Sequence, residues 1–486
     1  MKRPSLLLSF FPLIFLIVLI AVNVPLFGDD ITAGPAQIAL ICATTLTVLI
    51  SMLHLKISWM RIEERMLDNL FKTGSAIFIL LMIGALTGSW MMSGVVPSLI
   101  YYGLKLIHPS VFLVVAFLLA AVVSLTAGSS WTTIATIGVA LVTAGQILGF
   151  SAPWLAGAVI SGAYLGDKIS PLSDTVNLSA SVARVDLYKH IRYMLYTTIP
   201  AGILSIIFFF VVGLLKPTVD SVDISSKSEA LLSTFNISPW LLLVPAFTVV
   251  LIMKKVPPFI TLFLSALVGA VVAVLVQPEI IAQIVQNNSE TGAIMHALEA
   301  SIRMLSGSVN IETGNEMLNR LTSTHGMSGM LDTVWLIACV CAFGGAMEAS
   351  GMIQVITEKM ASLMRSTLSL VSSTVGTCIF FNMTLSDQYM AILLPGKMFS
   401  ETYKQKGYAP ELLSRSLADS GTVTSVLVPW NTCGVVQASV LGVATLAYLP
   451  YCFFNLITPV ITIFIAAIGY KIRRIEPQTE QQETKE

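Results

Sequence analysis

The sequence predicts an all-α polytopic membrane protein: two inverted-topology repeats with discontinuous or re-entrant helices. Three observations carry that expectation. Of the 486 residues, 55% are hydrophobic and only 11% charged, whereas a soluble domain carries about a quarter charged residues. The chain is a succession of apolar runs that approach the roughly 20 residues needed to cross a bilayer as helix. Its two halves also repeat the same order of runs and polar interruptions.

The first run, 6–26, follows Lys2 and Arg3. No small-x-small cleavage site follows closely and a second run begins at Ile31, so it reads as a retained span rather than a signal peptide. Further runs lie at 31–53, 74–93, 111–127, 128–148, 153–175 and 191–213. A polar stretch, 216–238, then interrupts the pattern with Asp220, Asp223 and Glu229. The second series lies at 239–253, 257–276, 331–350, 368–381, 385–398, 410–432 and 450–470. Within it, the polar segment 279–330 reads as a long, partly helical loop outside the bilayer. The expected division is therefore an N-terminal membrane repeat over 1–215, a connecting loop over 216–238, a C-terminal membrane repeat over 239–474, and a polar, disordered tail over 475–486.

Basic residues orient such a chain. They cluster at Lys2/Arg3, Lys56 to Lys72, Arg184 to Arg192, Lys254/Lys255, Lys359/Arg365, Lys397 to Lys406 and Lys471 to Arg474. Fourteen alternating crossings place every cluster, and both termini, in the cytoplasm of a bacterial inner-membrane protein. Zero net charge gives no reason to expect a nucleic-acid partner. Cys42, Cys339, Cys341, Cys378, Cys433 and Cys452 lie in or beside apolar runs without metal-ligand spacing and read as small buried residues.

Shifting the first half by 257 residues lays Pro153 on Pro410, Asp174 on Asn431, Thr175 on Thr432, and Ser129-Ser130-Trp131 on Ser386-Asp387-Gln388. The basic cluster follows the paired segments in the first half and lies between them in the second. Equivalent segments then run in opposite directions, as in an inverted repeat with its substrate site at the repeat interface.

Charge inside a bilayer is costly and usually functional. Four stretches mix charge, Gly, Pro, Ser and Thr within apolar surroundings: 126–133, 162–177, 382–389 and 418–432. Pro171 and Pro429 each remove a backbone donor and disfavour helix in the residue before them. Unwound backbone at membrane depth is tolerated where it is buried or lines a cavity. Its carbonyls, with hydroxyls, amides and a carboxylate or two, suit a small hard cation. Structural readings stand beside this one. Gly162-x-x-x-Gly166 has the spacing of close helix packing. Asp167 and Lys168 are placed to end a helix and reach water, and Asp419 lies four residues after Arg415, the spacing of an ion pair on one helix. Glu348 ends a span, and the five histidines fall in loops or at span ends without a ligand role. The chain carries no His-Glu-x-x-His, Gly-x-Ser-x-Gly or nucleotide-phosphate loop, and an enzyme is not expected.

Gly166-Asp-Lys-Ile-Ser-Pro-Leu-Ser-Asp-Thr-Val-Asn177 resembles the NhaC-type sodium/proton antiporters of bacteria, within the ion transporter superfamily. So do Ser386-Asp-Gln-Tyr389 with Leu394-Pro-Gly-Lys397, and Asp419-Ser-Gly-Thr-Val-Thr424 with Pro429-Trp-Asn-Thr-Cys-Gly434. The resemblance covers roughly Leu6 to Tyr470. Gly128-Ser-Ser-Trp stands for a more usual Gly-Thr-Ser-Trp, Leu385 for a common Gly, and Thr424-Ser-Val-Leu lacks a frequent proline. Antiporters coupling sodium to malate/lactate exchange look similar too. The resemblance implies exchange of sodium for protons by alternating access, with a sodium/proton-coupled organic-acid exchanger as the alternative. A desolvated carboxylate holds either a proton or a sodium ion, so competition at one site couples the two fluxes. Asp174, then Asp387 and Asp167, are the expected carboxylates, with Asp174 and Asp387 as direct ligands of the metal ion. Ser129, Ser170, Thr175, Asn177, Asn431 and Thr432 would supply neutral oxygens, and Asp419 would join the ion path. Lys168 and Arg415 would compensate charge. No cofactor is expected. The expected partners are the sodium ion, protons, small carboxylates in the alternative reading, membrane lipid and a second copy of the chain.

Overall fold

The computed structural model describes residues 3–28, 31, 33–106, 108–215, 221–285, 292–313, 319, 322–385 and 387–475. Parts of the expected 216–238 and 279–330 loops, Ser386 and the tail from 476 lie outside them. The first half holds α1 (Leu6–Phe27), α2 (Pro35–Leu49), α3 (Trp59–Met92), α4 (Val95–Leu106), α5 (Phe112–Ala127), α6 (Ser130–Thr133), α7 (Val139–Ile147), α8 (Ala152–Ile169), α9 (Asp174–Ala183) and α10 (Leu187–Leu215). Then come α11 (Ser221–Thr234), α12 (Leu243–Met253), α13 (Pro258–Val276), α14 (Pro278–Ile284) and α15 (Ala293–Ser306). The last group is α16 (Leu331–Ala349), α17 (Met352–Ser362), α18 (Thr367–Thr384), α19 (Gln388–Gln405), α20 (Pro410–Leu417), α21 (Thr432–Leu441), α22 (Thr445–Tyr448) and α23 (Phe453–Ile468). Among the described residues there is no strand beyond two isolated bridges.

Local chemistry sets where these helices start and stop. Prolines at 35, 153, 258 and 410 occupy the first turns of α2, α8, α13 and α20, where the missing donor costs nothing. The hydroxyls of Ser129 and Ser173, the Asp387 carboxylate and the Asn431 amide oxygen cap α6, α9, α19 and α21. Gly128 ends α5 at φ +66°, a left-handed conformation that a side chain would strain.

Eight of the described helices are long and apolar enough to cross a membrane, or ten if each of two sharply bent pairs makes one span. That is fewer than the fourteen apolar runs in the sequence. The runs 153–175 and 410–432 break into α8 plus α9, and into α20, a π-turn and a 3-10 turn, at their polar residues. Sequence apolarity registers such a run as one span, whereas proline and side-chain caps divide it.

Glycines set the closest helix contacts. A Cβ on Gly162 would stand 2.0 Å from the Phe117 carbonyl oxygen, and one on Gly166 2.1 Å from that of Ala121. The small-x-x-x-small spacing therefore packs α8 directly on the backbone of α5. Similarly, a Cβ on Gly88 of α3 would meet the Met304 oxygen of α15 at 2.0 Å. The segment 279–330 thus contributes a helix that packs onto the spanning helix α3. Buried Ala300 and Met304 face this contact region.

Candidate functional site

The close α5–α8 packing brings two chain breaks together. Leu172 lies against Gly128, whose added Cβ would stand 2.6 Å from the Leu172 side chain. Ser170 donates its hydroxyl to the Leu125 carbonyl at 2.8 Å, satisfying an acceptor freed near the end of α5. Asn177 clips the second break shut, donating to the Ser173 carbonyl at 2.7 Å and to that of Pro171 at 3.1 Å. Asp167, buried at the end of α8, accepts from the Ser130 hydroxyl at 2.9 Å.

These breaks open onto a cavity of about 720 Å³. Asp167, Asp174 and Asp387 all line it, as do Ser129, Thr175 and Asn177. Asp167 and Asp174 come from the first half and Asp387 from the second. Asp174 is exposed to the cavity at the first turn of α9, while the Asp387 carboxylate accepts from the Met390 backbone at 2.9 Å. Three helix N-termini, those of α6, α9 and α19, therefore end at this one space. Their partial positive charge offsets part of the carboxylate charge.

Several lining residues escaped the sequence reading of the site. Ser130 holds Asp167, Ser173 caps α9, and Tyr389 and Lys72 complete the wall. The signal for Ser173 was its place just before Asp174. Lys72 carried none beyond a basic cluster at the start of a run. It pairs with Asp68 at 2.7 Å, one turn back on α3.

Other expected site residues lie elsewhere. Ser170 is absorbed by the Leu125 contact. Asn431 and Thr432 are buried in a separate polar knot. There Asn382 donates to the Gly421 carbonyl at 2.9 Å and to Thr424 Oγ1 at 3.0 Å, and Asn431 donates to the Asn382 carbonyl at 3.0 Å. The Asn431 amide oxygen accepts from the Cys433 backbone at 3.0 Å. Asn455 donates to the Val423 carbonyl at 2.8 Å, and Tyr448 to that of Val426 at 2.9 Å. Carbonyls freed in the second-half break are thus taken by side-chain donors.

The expected Arg415–Asp419 pair is corrected by the structure. Asp419 Oδ1 meets Lys168 Nζ at 2.5 Å, and the Thr462 hydroxyl donates to its other oxygen. Asp419 lies in the π-turn Ala418–Thr422 that follows α20, and its contacts there run to α8 and α23 rather than to Arg415 one turn before it. Nor do Asp167 and Lys168 reach water as a helix end would. Successive residues point about 100° apart on a helix. Asp167 faces the cavity, and Lys168 is fully buried against Asp419. Glu348 pairs with Arg65 at 3.6 Å, consistent with an interfacial place.

Among the described residues no group of three or more His, Cys, Asp or Glu side chains converges to hold a metal ion.

Membrane-length helices, interrupted helices and a carboxylate-lined polar cavity between the halves define a polytopic ion-coupled transporter. Comparison with known proteins narrows the class. A sequence profile of the Na+/H+ antiporter family matches residues 4–174 and 162–470, and the chain belongs to that family. It is 35% identical to the Na(+)/H(+) antiporter NhaC of Alkalihalophilus pseudofirmus, over 86% of this chain and 87% of that one. It is 34% identical to the Malate-2H(+)/Na(+)-lactate antiporter of Bacillus subtilis, over 87% of each. A third relative, the Arginine/ornithine antiporter ArcD of Halobacterium salinarum, is 32% identical over 99% of this chain and 96% of its own length.

Proposed function

We propose that the chain exchanges sodium ions for protons across the bacterial inner membrane by alternating access. One observation carries the reading: Asp167, Asp174 and Asp387, drawn from both halves, face a single cavity. Asp174 is the coupling carboxylate, because it stands in the open cavity with no side-chain cation beside it on α9. A proton or a sodium ion neutralises it, and the two compete. Asp387 and Asp167 shape the field around it, with Ser129, Thr175 and Asn177 as neutral oxygens. Family membership supports the cation-exchange chemistry.

The cavity wall supports one orientation. Lys72, Tyr188 and Lys255 line it, and each belongs to a cluster that the positive-inside rule assigns to the cytoplasm. The state described is therefore open inward, with both termini cytoplasmic. Reporter fusions at Lys404 and after Arg474 should read cytoplasmic and a fusion at Ser225 periplasmic; the reverse pattern would overturn the orientation.

The cavity's volume favours a second reading. About 720 Å³ exceeds the needs of a bare ion, and Lys72 and Lys255 offer anchors for a small carboxylate. Everted vesicles carrying a pH-reporting dye separate the two. Sodium alone should release the imposed proton gradient, whereas lithium, potassium, malate and lactate, added singly, measure selectivity. Proton movement that needs malate or lactate would replace sodium/proton exchange with organic-acid exchange.

A further inference from the structure

Outside the cavity lies a second group of buried charges. Lys168 of α8, Arg415 of α20 and Asp419 of the following π-turn are all fully buried. Asp419 is held by Lys168 and by Thr462 of α23. The three guanidinium nitrogens of Arg415 have no hydrogen-bond partner, and its Cζ sits 4.5 Å over the Tyr193 ring of α10. Ser414, the residue before it, bonds His190 Nδ1 at 2.8 Å. Two buried cations thus share one buried carboxylate, and one cation is left without an anion.

Such an arrangement costs free energy unless another state repays it. The sequence shows which state would. Arg415 and Asp419 are four residues apart, about one turn of the same helical segment. Asp419 lies in a π-turn, and single π-turns concentrate at functional positions in helices. A small rearrangement there would hand Asp419 from Lys168, on the first half, to Arg415 on its own segment. That exchange releases the ionic tie between α8 and the α20 segment. Asp167, beside Lys168 in the last turn of α8, faces the cavity.

We propose that Arg415 is a positioning residue of the exchange cycle, the second partner of Asp419. Lys168 holds Asp419 in the inward-open state described here, and Arg415, one turn before it, takes it in the outward-open state. The proposal rests on the alternating-access reading above. Neither Lys168 nor Arg415 touches the transported ion; both act through Asp419.

The test reads the conformational balance itself. Ala127 lines the cavity, so a cysteine in its place reports opening to the cytoplasm. Its labelling by a membrane-impermeant maleimide is followed in everted vesicles, with the protein lacking Ala127→Cys as background. Lys168→Gln and Arg415→Gln each leave one buried cation with one carboxylate, so the two variants carry the same charge. Lys168→Gln should slow labelling and Arg415→Gln should speed it, with about tenfold between the two, equivalent to ~1.4 kcal/mol of bias. Adding Asp419→Asn to each should erase that difference. Labelling that shifts the same way in both single variants, or in neither, overturns the proposal, and so does a difference that survives Asp419→Asn. Where a glutamine variant does not accumulate, Lys168→Met and Arg415→Met replace the pair. Failure of either methionine form to accumulate also overturns it, because it would show that cation to be required for folding. Sodium-dependent proton movement is recorded in the same parent vesicles. Its absence there would defeat the exchange reading, while the labelling difference would still be read independently.

Discussion

The two halves interrupt their helices with the same residue types and put the interruptions to different uses. In the first half, the break at Ser170–Ser173 and the break after Gly128 open onto the cavity, with Asp167 and Asp174 at its wall. In the second half, the break between the π-turn and α21 is closed over by amide and hydroxyl donors: Asn382, Asn455 and Tyr448 each take one of its carbonyls. Trp430 ties it further, donating to the Met383 carbonyl at 2.7 Å. The second half reaches the cavity instead through the cap of α19, Asp387. A proline and a cluster of hydroxyls therefore do not by themselves make an ion site. Side-chain donors take freed carbonyls in both halves, those of Leu125, Pro171 and Ser173 in the first as well. What differs is that the first-half breaks present carboxylates to an open space, while the second-half break is enclosed as a hydrogen-bonded brace.

This difference is most directly broken at Asp174. Asp174→Asn keeps the size and one oxygen but removes the titratable charge. It should reach the membrane in normal amounts and lose sodium-dependent proton movement to background in dye-loaded everted vesicles, since neutral oxygens compensate poorly for a cation's lost hydration. Exchange that persists with unchanged sodium affinity would move the coupling role to Asp167 or Asp387. The brace should respond in the opposite manner. Asn382→Ala strips donors from the Gly421 carbonyl and Thr424, and the Asn431 amide loses one of its acceptors. Each buried group left unpaired costs about 1–3 kcal/mol. The variant should therefore show a lower unfolding temperature in detergent and reduced abundance, while the protein that remains keeps its sodium dependence. Normal stability with altered sodium affinity would place the brace in the ion site after all.

A smaller effect is expected from Gly162→Ala. The new methyl would meet the Phe117 carbonyl oxygen, so α8 must withdraw from α5. Overpacking of this kind costs about 1–3 kcal/mol. Because α8 carries Asp167 into the cavity, lower thermal stability should come with a weaker apparent sodium affinity. Stability lost without any change in affinity would show that α8 adjusts along its length without moving Asp167.

Much of this was legible in the sequence, for identifiable reasons. Apolar runs, the small-x-x-x-small glycines and the proline-marked breaks are local signals, and each reappears as an element or a contact. The cavity carboxylates Asp167, Asp174 and Asp387 were also legible, because charge within an apolar run has few structural uses. What the sequence could not show was partnership across the fold. Pairing of Asp419 with Arg415 was an open alternative because four residues of helix bring them near, and nothing local shows that Lys168, from the other half, takes the carboxylate. Asn431 looked like a ligand because it matches Asp174 by position. Only the fold shows that Asn382 and the Cys433 backbone already engage its side chain. Lys72 read as a cytoplasmic basic residue, and the packing of α3 brings it to the cavity.

The finest test of the comparison lies within the first-half break, at Ser130. Its hydroxyl donates to Asp167 at 2.9 Å, and both residues are buried. A hydrogen bond to the charged form stabilises the carboxylate, so Ser130 favours an ionised Asp167. Ser130→Ala removes that donor while leaving Ser129 to cap α6. A hydrogen bond to a charged group contributes about 1.5–3 kcal/mol, but in the proposed reading Asp167 shapes the field in the cavity rather than carrying the ion. Only part of that figure should reach sodium binding at Asp174. The expectation is a several-fold weaker apparent sodium affinity at neutral pH, with maximal exchange nearly unchanged. Sodium titrations of proton movement measure this directly. An unchanged sodium affinity would assign Ser130 to the shape of the break and not to the charge of Asp167.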